Sequence, residues 1–290
     1  MHGVTLQTLF NFFRIIKSTM RVFRNILEAK GIIQNAIITI GSFDGVHEGH
    51  KVIINRLIKL AKETCGESVL ITFNPHPRKV LYPEYNDLKL VNSVDEKIFL
   101  LQSTGLDNLI IHPFDKNFAN TSSVDFIINY LVKCLDVKVV VTGPNHHFGK
   151  NREGDQKALS ELGEKHGFKL EGIPLKDIEN ETISSGKVRD AILNGDFVKA
   201  NRYLGFNYLI IGKIFRSEKA DSNKWFIEIE EKEKLLPPDG IYDAEIIVDE
   251  KRIKIRAKIT SISSTEKEVM IISQDVCAFS EGQIARLLFI

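Results

Sequence analysis

The chain has 290 residues, 43% hydrophobic and 27% charged, which is the ordinary balance of a soluble globular protein with one large domain or two smaller ones. A net charge of +1 gives no overall basic field, and no apolar stretch reaches the ~18–20 residues of a membrane span. We therefore expect neither a nucleic-acid partner nor a membrane partner. Cys65, Cys134 and Cys277 fit no zinc spacing and indicate a reducing, cytoplasmic setting.

The two ends of the chain differ from its middle. Residues 1–24 carry basic side chains and no acidic one, which fits a transit peptide or an upstream extension. Because Met20 precedes what reads as a domain start, an extension over 1–19 is favoured. Residues 251–259 alternate charged and apolar side chains, a pattern typical of half-exposed antiparallel strands. We predict one domain over 20–205 and a second over 206–290.

The middle of the chain alternates short apolar runs with amphipathic segments. The apolar runs predict strands at 36–40, 68–73, 108–112 and 137–141, and residues 169–174 lead into another strand. Helices are expected from about 47, 93, 122 and 155, the second opened by a capping box at Ser93 and Glu96. This alternation predicts an α/β fold with a doubly wound parallel sheet. In such sheets ligands bind beyond the carboxyl ends of the strands, at the switch in strand order.

The strongest local motif is Gly-Ser-Phe-Asp-Gly-Val-His-Glu-Gly-His at 41–50, between the first predicted strand and a helix. Glycines let the backbone approach a ligand closely, and a helix start attracts phosphate through free N–H groups and its dipole. His47 and His50, three residues apart, can face the same anion. A functionless glycine turn and a zinc site are the alternatives, but a third zinc ligand at normal spacing is missing. Phosphate handling is favoured.

Read alone, three later motifs are ambiguous. Residues 73–77 (Phe-Asn-Pro-His-Pro) form a proline-stiffened loop, whose position after a strand would suit a flat aromatic ligand. Residues 143–155 nearly match a P-loop, but Asn151 stands where Ser or Thr is required, so that reading fails. Ser184 and Ser185 before a helix containing Arg189 are either a simple N-cap or a second clamp for phosphate oxygens.

Together, the motifs resemble a known family. His-x-Gly-His after a strand resembles the signature of the nucleotidyltransferase superfamily, with its HUP-type fold. The full loop at 41–50 and the segments at 72–78, 143–155 and 183–189 resemble the adenylyltransferase domain of bacterial bifunctional riboflavin kinase/FAD synthetases. The four motifs occur in the family's order over roughly residues 20–205.

The resemblance implies transfer of AMP from ATP to FMN, giving FAD and pyrophosphate, with Mg²⁺ accompanying ATP and no protein metal ligand. It assigns catalysis to His47, His50 and Arg189. The ATP-binding residues that it implies are Gly41, Phe43, Asp44, Ser184, Ser185 and Lys187. The candidates for the flavin side are Asn74, Pro75, His76, Pro77, Asn145, His147 and Phe148.

Five positions depart from the family pattern: Ser42, Asn74, Asn145, His147 and Gly186. Because of these departures, two hypotheses other than an FAD synthetase have to be considered. One is a non-catalytic regulator that binds flavin or nucleotide, and the other is a His-x-Gly-His transferase for another phosphorylated substrate.

The carboxyl-terminal part resembles the family's riboflavin kinase module less well. Residues 236–242 (Leu-Pro-Pro-Asp-Gly-Ile-Tyr) and 212–214 resemble two strand segments of that module, which implies a small antiparallel β-barrel. The module's Gly-Phe-Pro-Thr-Ala-Asn segment has no counterpart between Gly212 and Leu236, where residues 217–224 stand instead. The chain also reaches Ile290 before the module's catalytic glutamate segment. We therefore expect a degenerate barrel without kinase activity.

Overall fold

The computed structural model describes residues 20–143, 147–174, 177–178, 181–216, 224–263, 266–273 and 279–290. In space the described residues form two compact units. The first contains residues 20–43, 50–86 and 98–174, and the second contains 44–49, 87–97 and the residues from 177 onward. This spatial division is interleaved along the chain rather than made at one point, and the linear ranges 20–205 and 206–290 remain a proposal about domains.

A six-stranded parallel sheet organises the first unit. Its strands are β1 (Arg21–Phe23), β2 (Ala36–Ile40), β3 (Glu67–Asn74), β4 (Asn108–Pro113), β5 (Val137–Thr142) and β6 (Lys169–Gly172). They lie in the order β1-β4-β3-β2-β5-β6, so the switch in strand order falls between β2 and β5. The parallel sheet is confirmed, whereas β1 had no apolar run long enough to predict it.

Helices connect these strands. They are α1 (Glu48–Glu63), α2 (Pro77–Leu81), α3 (Val94–Gln102), α4 (Lys116–Ala119), α5 (Ser123–Asp125) and α6 (Gln156–His166). A π-helical turn, Phe126–Val132, continues α5, and 3₁₀ turns lie at Ile26–Ala29, Pro83–Tyr85 and Lys150–Arg152. The predicted capping box is confirmed, because the Ser93 N–H donates to Glu96 Oε2 (3.0 Å) and the Glu96 N–H to Ser93 Oγ (3.1 Å).

The core of this unit explains why β2 is apolar throughout. Ile38 and Ile40 belong to one buried cluster with Phe126, while Ile37, which alternation places on the opposite face, is also fully buried. The buried stripe of α1 is Ile54, Leu57, Ile58, Leu60 and Ala61. The apolar side chains Val52 and Ile53 in the first half of α1 lie outside this stripe, because they are only half-buried.

The second unit is built on a closed antiparallel barrel. Its six strands are β9 (Leu209–Arg216), β10 (Trp225–Glu228), β11 (Gly240–Val248), β12 (Lys251–Ser261), β13 (Lys267–Ile272) and β14 (Ile284–Phe289), in the order β10-β13-β12-β11-β14-β9. Two short strands, β7 (Asp177–Ile178) and β8 (Glu181–Thr182), and two helices, α7 (Ser185–Leu193) and α8 (Phe197–Leu204), precede it. The predicted barrel and its alternating strand at β12 are confirmed.

Helices α7 and α8 share the hydrophobic core of the barrel. Val188 and Ile192 of α7 and Tyr203 of α8 belong to the same buried cluster as Ile246 and Phe289. Stacking of Phe197 on Phe289, with ring centroids 4.5 Å apart, adds an aromatic contact at this junction. The barrel is therefore packed directly against the helix that carries the predicted phosphate clamp.

A buried histidine in the first unit should make folding stability depend on pH. His112 on β4 accepts a hydrogen bond from the Ile26 N–H through Nδ1 (3.3 Å), and its ring lies 4.4 Å from that of Phe118. Burial lowers the pKa of His112 to about 4, against an opposing effect of Asp115. In the unfolded chain this histidine takes up a proton near pH 6.5, whereas in the folded chain it takes up the proton only near pH 4.

Folding stability should consequently fall as the pH drops from about 6.5 to about 4, with about 2–3 kcal/mol attributable to His112. The variant His112→Gln, which keeps an acceptor for the Ile26 N–H, should show a flatter dependence in urea unfolding across this range. His166→Gln, at the end of α6, serves as the control for removing a histidine elsewhere. Equal slopes for wild type and His112→Gln would contradict the assignment.

Candidate active site

The loop after β2 has a strained backbone. Phe43 and Val46 adopt positive φ angles of 46° and 42°, and Gly45 between them has a φ of 92°. A β-branched residue such as valine rarely takes this conformation, which costs free energy and is found preferentially at functional sites. The loop at 41–50 is thus held in shape by its surroundings rather than by local preference.

The two histidines of this loop lie at the start of α1. His47 is buried, and its imidazole lies so close to Gly49 that a Cβ there would be 3.2 Å from the ring. Glycine at this position therefore makes room for the ring. His50 stands in the first turn of α1, and its ring centroid is 4.9 Å from that of Phe43. Both histidines lie at the N-terminal end of a long helix, whose dipole favours an anion there.

Asp44 and Arg189 form a buried ion pair in the second unit. Arg189 Nη2 lies 2.8 Å from Asp44 Oδ2, and the Asp44 side chain is only 3% exposed. Asp44 Oδ1 accepts from the N–H groups of Val91 (2.8 Å) and Asn92 (3.3 Å), while Arg189 Nε donates to the Lys89 carbonyl (2.9 Å). Asp44 therefore orients Arg189 and cancels much of its charge, roles that its position in the motif did not reveal.

The predicted phosphate clamp is partly used by the protein itself. Ser184 is the N-cap of α7, and its Oγ accepts from the Lys187 N–H (3.3 Å). Ser185 Oγ donates to the Asp44 carbonyl (2.8 Å). The structure thus brings Ser185 and Arg189 onto Asp44, with Ser184 and Lys187 in the first turn of the same helix.

A cavity of about 630 Å³ lies in the first unit, within the usual size range of small-ligand sites. Five of the predicted site residues line it: Gly41, His76, Pro77, His147 and Phe148. Asn74 and Pro75, joined by a cis peptide bond, precede His76 but do not line the cavity. Asn145 lies outside the described residues.

Aromatic rings form much of the cavity lining. Phe73 and Phe114 meet edge to face with centroids 5.4 Å apart, and Phe118 lies 5.7 Å from Phe114. Phe126 on the π-helical turn lies 6.4 Å from Phe148. Phe114, Phe118 and Phe126 belong to none of the motifs and were not predicted from the sequence. Phe114 and Phe118 nevertheless follow the carboxyl end of β4, a position at which ligands of parallel sheets bind.

The charged groups that line the cavity are cationic. Arg78, Lys116 and Lys150 belong to the lining, which includes no Asp or Glu among the described residues. The guanidinium of Arg78 lies over the Tyr85 ring at 5.3 Å. Apolar rings with cations beside them suit a flat aromatic ligand that carries an anionic group.

In the part of the chain that the structure describes, side chains that could bind a metal ion are not clustered in threes. No group of three His, Cys, Asp or Glu side chains is placed there to hold a metal ion. Asp44 is the acidic residue that precedes His47 in the loop at 41–50. Its two carboxylate oxygens already accept hydrogen bonds from Val91 and Arg189. The described residues do not fit a resident metal site.

Among the described residues, no helix is both long and apolar enough to cross a membrane.

Much of this chain is similar in sequence to known proteins. The family model described as FAD synthetase matches residues 30–187, more than half of the chain. A bifunctional riboflavin kinase/FMN adenylyltransferase of Buchnera aphidicola is 32% identical over 201 residues, covering 69% of this chain and 64% of the relative. The enzyme of the same name from Pseudomonas fluorescens is 28% identical, covering 79% of this chain and 74% of that one. This chain therefore spans less than two thirds of the length of the Buchnera enzyme.

A solved structure shows the same fold. The crystal structure of a protein described as a macrolide-efflux protein from Streptococcus pneumoniae matches with a TM-score of 0.80. It covers 93% of this chain and 90% of that chain at 20% identity, a level at which only the fold is compared. The family model includes the loop at 41–50 and the strands around it, and it matches in sequence. This chain therefore belongs to the FAD synthetase family.

Proposed function

We propose that this chain is an FMN adenylyltransferase, which transfers AMP from ATP to FMN and releases pyrophosphate. The observation that carries the proposal is the His-x-Gly-His loop between β2 and α1, inside the range matched by the FAD synthetase model. The aromatic, cation-lined cavity of the first unit supports it, because an isoalloxazine ring and a phosphate are what such a cavity accommodates.

The reaction needs little covalent help from the protein. An FMN phosphate oxygen attacks the α-phosphorus of ATP, a new P–O bond forms, and the bond to the β-phosphate oxygen breaks with its electrons leaving on pyrophosphate. The FMN phosphate is already anionic at neutral pH, so no strong general base is required. Catalysis then depends on aligning the two phosphates and neutralising the charge that develops.

The side chains of the motif loop and of α7 are assigned to the ATP phosphates. His47 and His50 donate hydrogen bonds to the phosphates as the pentavalent state forms. Arg189, oriented by Asp44, contributes its remaining N–H donor atoms to the leaving pyrophosphate, together with Ser184 and Lys187. Ser185 holds the Asp44 carbonyl, so we propose that it positions the loop. Gly41 and Phe43 are proposed for the nucleotide pocket.

The flavin is assigned to the cavity of the first unit. His76, Pro77, His147 and Phe148, which the sequence motifs singled out, line it. The rings of the aromatic lining would stack against the isoalloxazine. Asn74, Pro75 and Asn145 keep their proposed place on the flavin side from the family motif alone. We propose that Mg²⁺ enters with ATP, as part of the nucleotide substrate, and is held by phosphates and water.

The identity of the acceptor can be tested directly. Purified protein is incubated with MgATP and, in parallel, with FMN, riboflavin or no flavin, and the flavins are resolved by chromatography. We expect FAD from FMN. Binding of FMN and ATP without any FAD would favour the regulator, and consumption of ATP only with another phosphorylated acceptor would favour a different transferase.

Riboflavin is expected to give no FMN in the same assay. Phosphoryl transfer to its ribityl hydroxyl needs a cradle for the triphosphate, bound Mg²⁺ and an orienting group for a poor nucleophile. The sequence between Gly212 and Leu236 has no Pro-Thr-Ala-Asn run to supply them. Formation of FMN in stoichiometric amount or more would contradict this proposal, whereas riboflavin binding without turnover would agree with it.

A glycine variant separates the flavin side from the ATP side. Gly154 and Phe148 exchange backbone hydrogen bonds of 3.0 Å, and a Cβ on Gly154 would come within 2.6 Å of the Phe148 ring. Gly154→Ala should displace that ring and raise KM for FMN about tenfold or more, since a shift of about 1 Å can cost ~10²-fold in rate. KM for ATP should change little.

Gly172→Ala is the matched control for this experiment. A Cβ on Gly172 would make only an ordinary contact, 3.9 Å from the Gln156 side chain. Steady-state kinetics on both variants, with each substrate varied in turn, gives the comparison. Equal KM values for FMN in Gly154→Ala and wild type would remove Phe148 from the proposed flavin site.

A further inference from the structure

The second unit contains a fully buried ion pair that no sequence motif indicated. Lys234 Nζ lies 2.6 Å from Glu96 Oε2, and the two side chains are 1% and 0% exposed. Lys234 also donates to the carbonyls of Val91 (2.7 Å) and Leu209 (2.9 Å), and its ammonium lies 4.2 Å from the Tyr208 ring centroid. A buried ammonium requires such complete pairing, so the position of Lys234 is tightly specified.

Glu96 fixes the other half of the pair. Its Oε1 accepts from the Ile211 N–H of β9 (3.0 Å), and its Oε2 accepts from the Ser93 N–H (3.0 Å). The backbone of Leu90 adds two hydrogen bonds, accepting from the Leu235 N–H (2.8 Å) and donating to the Glu233 carbonyl (2.7 Å). Segment 90–96 is therefore attached to the barrel by both side chains and backbone.

Val91 links this pair to the proposed phosphate site. Its carbonyl accepts from Lys234, and its N–H donates to Asp44 Oδ1 (2.8 Å). Asp44 in turn holds Arg189 through Oδ2 (2.8 Å). Three consecutive short contacts thus lead from the Lys234 ammonium to the Arg189 guanidinium, all within the second unit.

We propose that Lys234, together with Glu96, is a positioning element for Arg189, acting through Val91 and Asp44. The inference rests on the proposed function, in which Arg189 holds the phosphates of ATP. It gives the barrel a role in adenylyl transfer that requires no kinase chemistry. Because Asp44 is bonded to backbone N–H groups of 91 and 92, a shift of this segment moves the carboxylate that orients the arginine.

The test uses the full chain and a charge-neutral double variant, Glu96→Gln/Lys234→Met. Glutamine keeps an acceptor for the Ile211 N–H, and no unpaired charge is left in the core. The matched control is Tyr208→Phe, which removes the hydrogen bond from the Tyr208 hydroxyl to the Leu235 carbonyl in the same network and leaves the hydrogen bonds of Val91 and Asp44 in place. Steady-state kinetics of FAD formation and hydrogen exchange of the backbone amides are measured for all three proteins.

For the double variant we expect KM for ATP to rise and kcat/KM for ATP to fall by ~10²-fold, as for a misplaced positioning contact. KM for FMN should stay within about twofold of wild type, and exchange should increase at 90–92 but not in β11–β13. A purely structural role would lower kcat by the unfolded fraction alone and leave both KM values unchanged. That result, or an equal effect in Tyr208→Phe, would overturn the inference.

Failure of the proposed function would look different. Wild-type protein that forms no FAD would overturn both the function and this role, whereas active wild type with an unaltered double variant would overturn only the role of Lys234. If the double variant does not fold, Glu96→Gln/Lys234→Gln, which leaves no unpaired charge and keeps a neutral donor near the Val91 carbonyl, is assayed in the same way. An unchanged KM for ATP in that variant would also contradict the inference.

Discussion

Replacing His47 and His50 together with alanine is expected to lower the rate of FAD formation by at least ~10²–10³-fold, since one preorganised group that stabilises developing charge is worth that much. Both side chains stand at the N-terminal end of α1, where an anion is favoured, and His47 is fixed by burial over Gly49. The loss should appear mainly in kcat, because the histidines are assigned to charge that forms in the transition state.

The measurement is steady-state production of FAD with both substrates saturating. His166→Ala, at the end of α6, controls for histidine removal, and the single variants show whether the two histidines act as a unit. Thermal unfolding of the double variant should stay close to wild type, so that lost activity is not lost folding. Wild-type turnover in the folded double variant would show that the phosphates bind elsewhere.

The largest effect on stability is expected from Lys234→Met. The substitution leaves the Glu96 carboxylate buried without its cation and removes the donor of the Val91 and Leu209 carbonyls. Breaking a buried ion pair on one side typically costs about 3–5 kcal/mol, because the remaining charge has no compensation. The free energy of unfolding from urea titration should fall by about that amount.

The double variant Glu96→Gln/Lys234→Met supplies the comparison. It carries no unpaired charge, and it should lose much less stability than the single variant even though it has one more substitution. That inverted order is the signature of an uncompensated buried charge. If the single variant unfolds at the same urea concentration as wild type, the ion pair is not what secures the segment at 90–96.

The sequence predicted what depends on local patterns. Apolar runs located β2 to β5 of the parallel sheet, the Ser93–Glu96 pair located a helix start, and the rule that ligands bind after strands led to the loop at 41–50. The alternation at 251–259 predicted a barrel strand. Each of these signals lies within about ten residues, where periodicity and capping chemistry act.

Contacts between distant residues left no such signal. Glu96 and Lys234 are 138 positions apart, and Asp44 and Arg189 are 145 apart. In the sequence, Lys234 is one lysine in a charged stretch, and only the fold shows that its ammonium is buried. Likewise, Asp44 was assigned to a nucleotide pocket because the motif contains it, whereas its bonds to Val91 and Arg189 depend on which segments the fold brings together.

In the proposed reaction the α-phosphorus of ATP is transferred to FMN. The most direct measurement incubates wild-type protein with FMN, Mg²⁺ and ATP labelled at either the α- or the γ-phosphate, and separates FAD from pyrophosphate. We predict α-label in FAD, γ-label in pyrophosphate and equal amounts of the two products, with both signals lost in the His47→Ala/His50→Ala variant. Bound FMN and ATP with no α-label in any flavin, or γ-label in a flavin, would contradict the account.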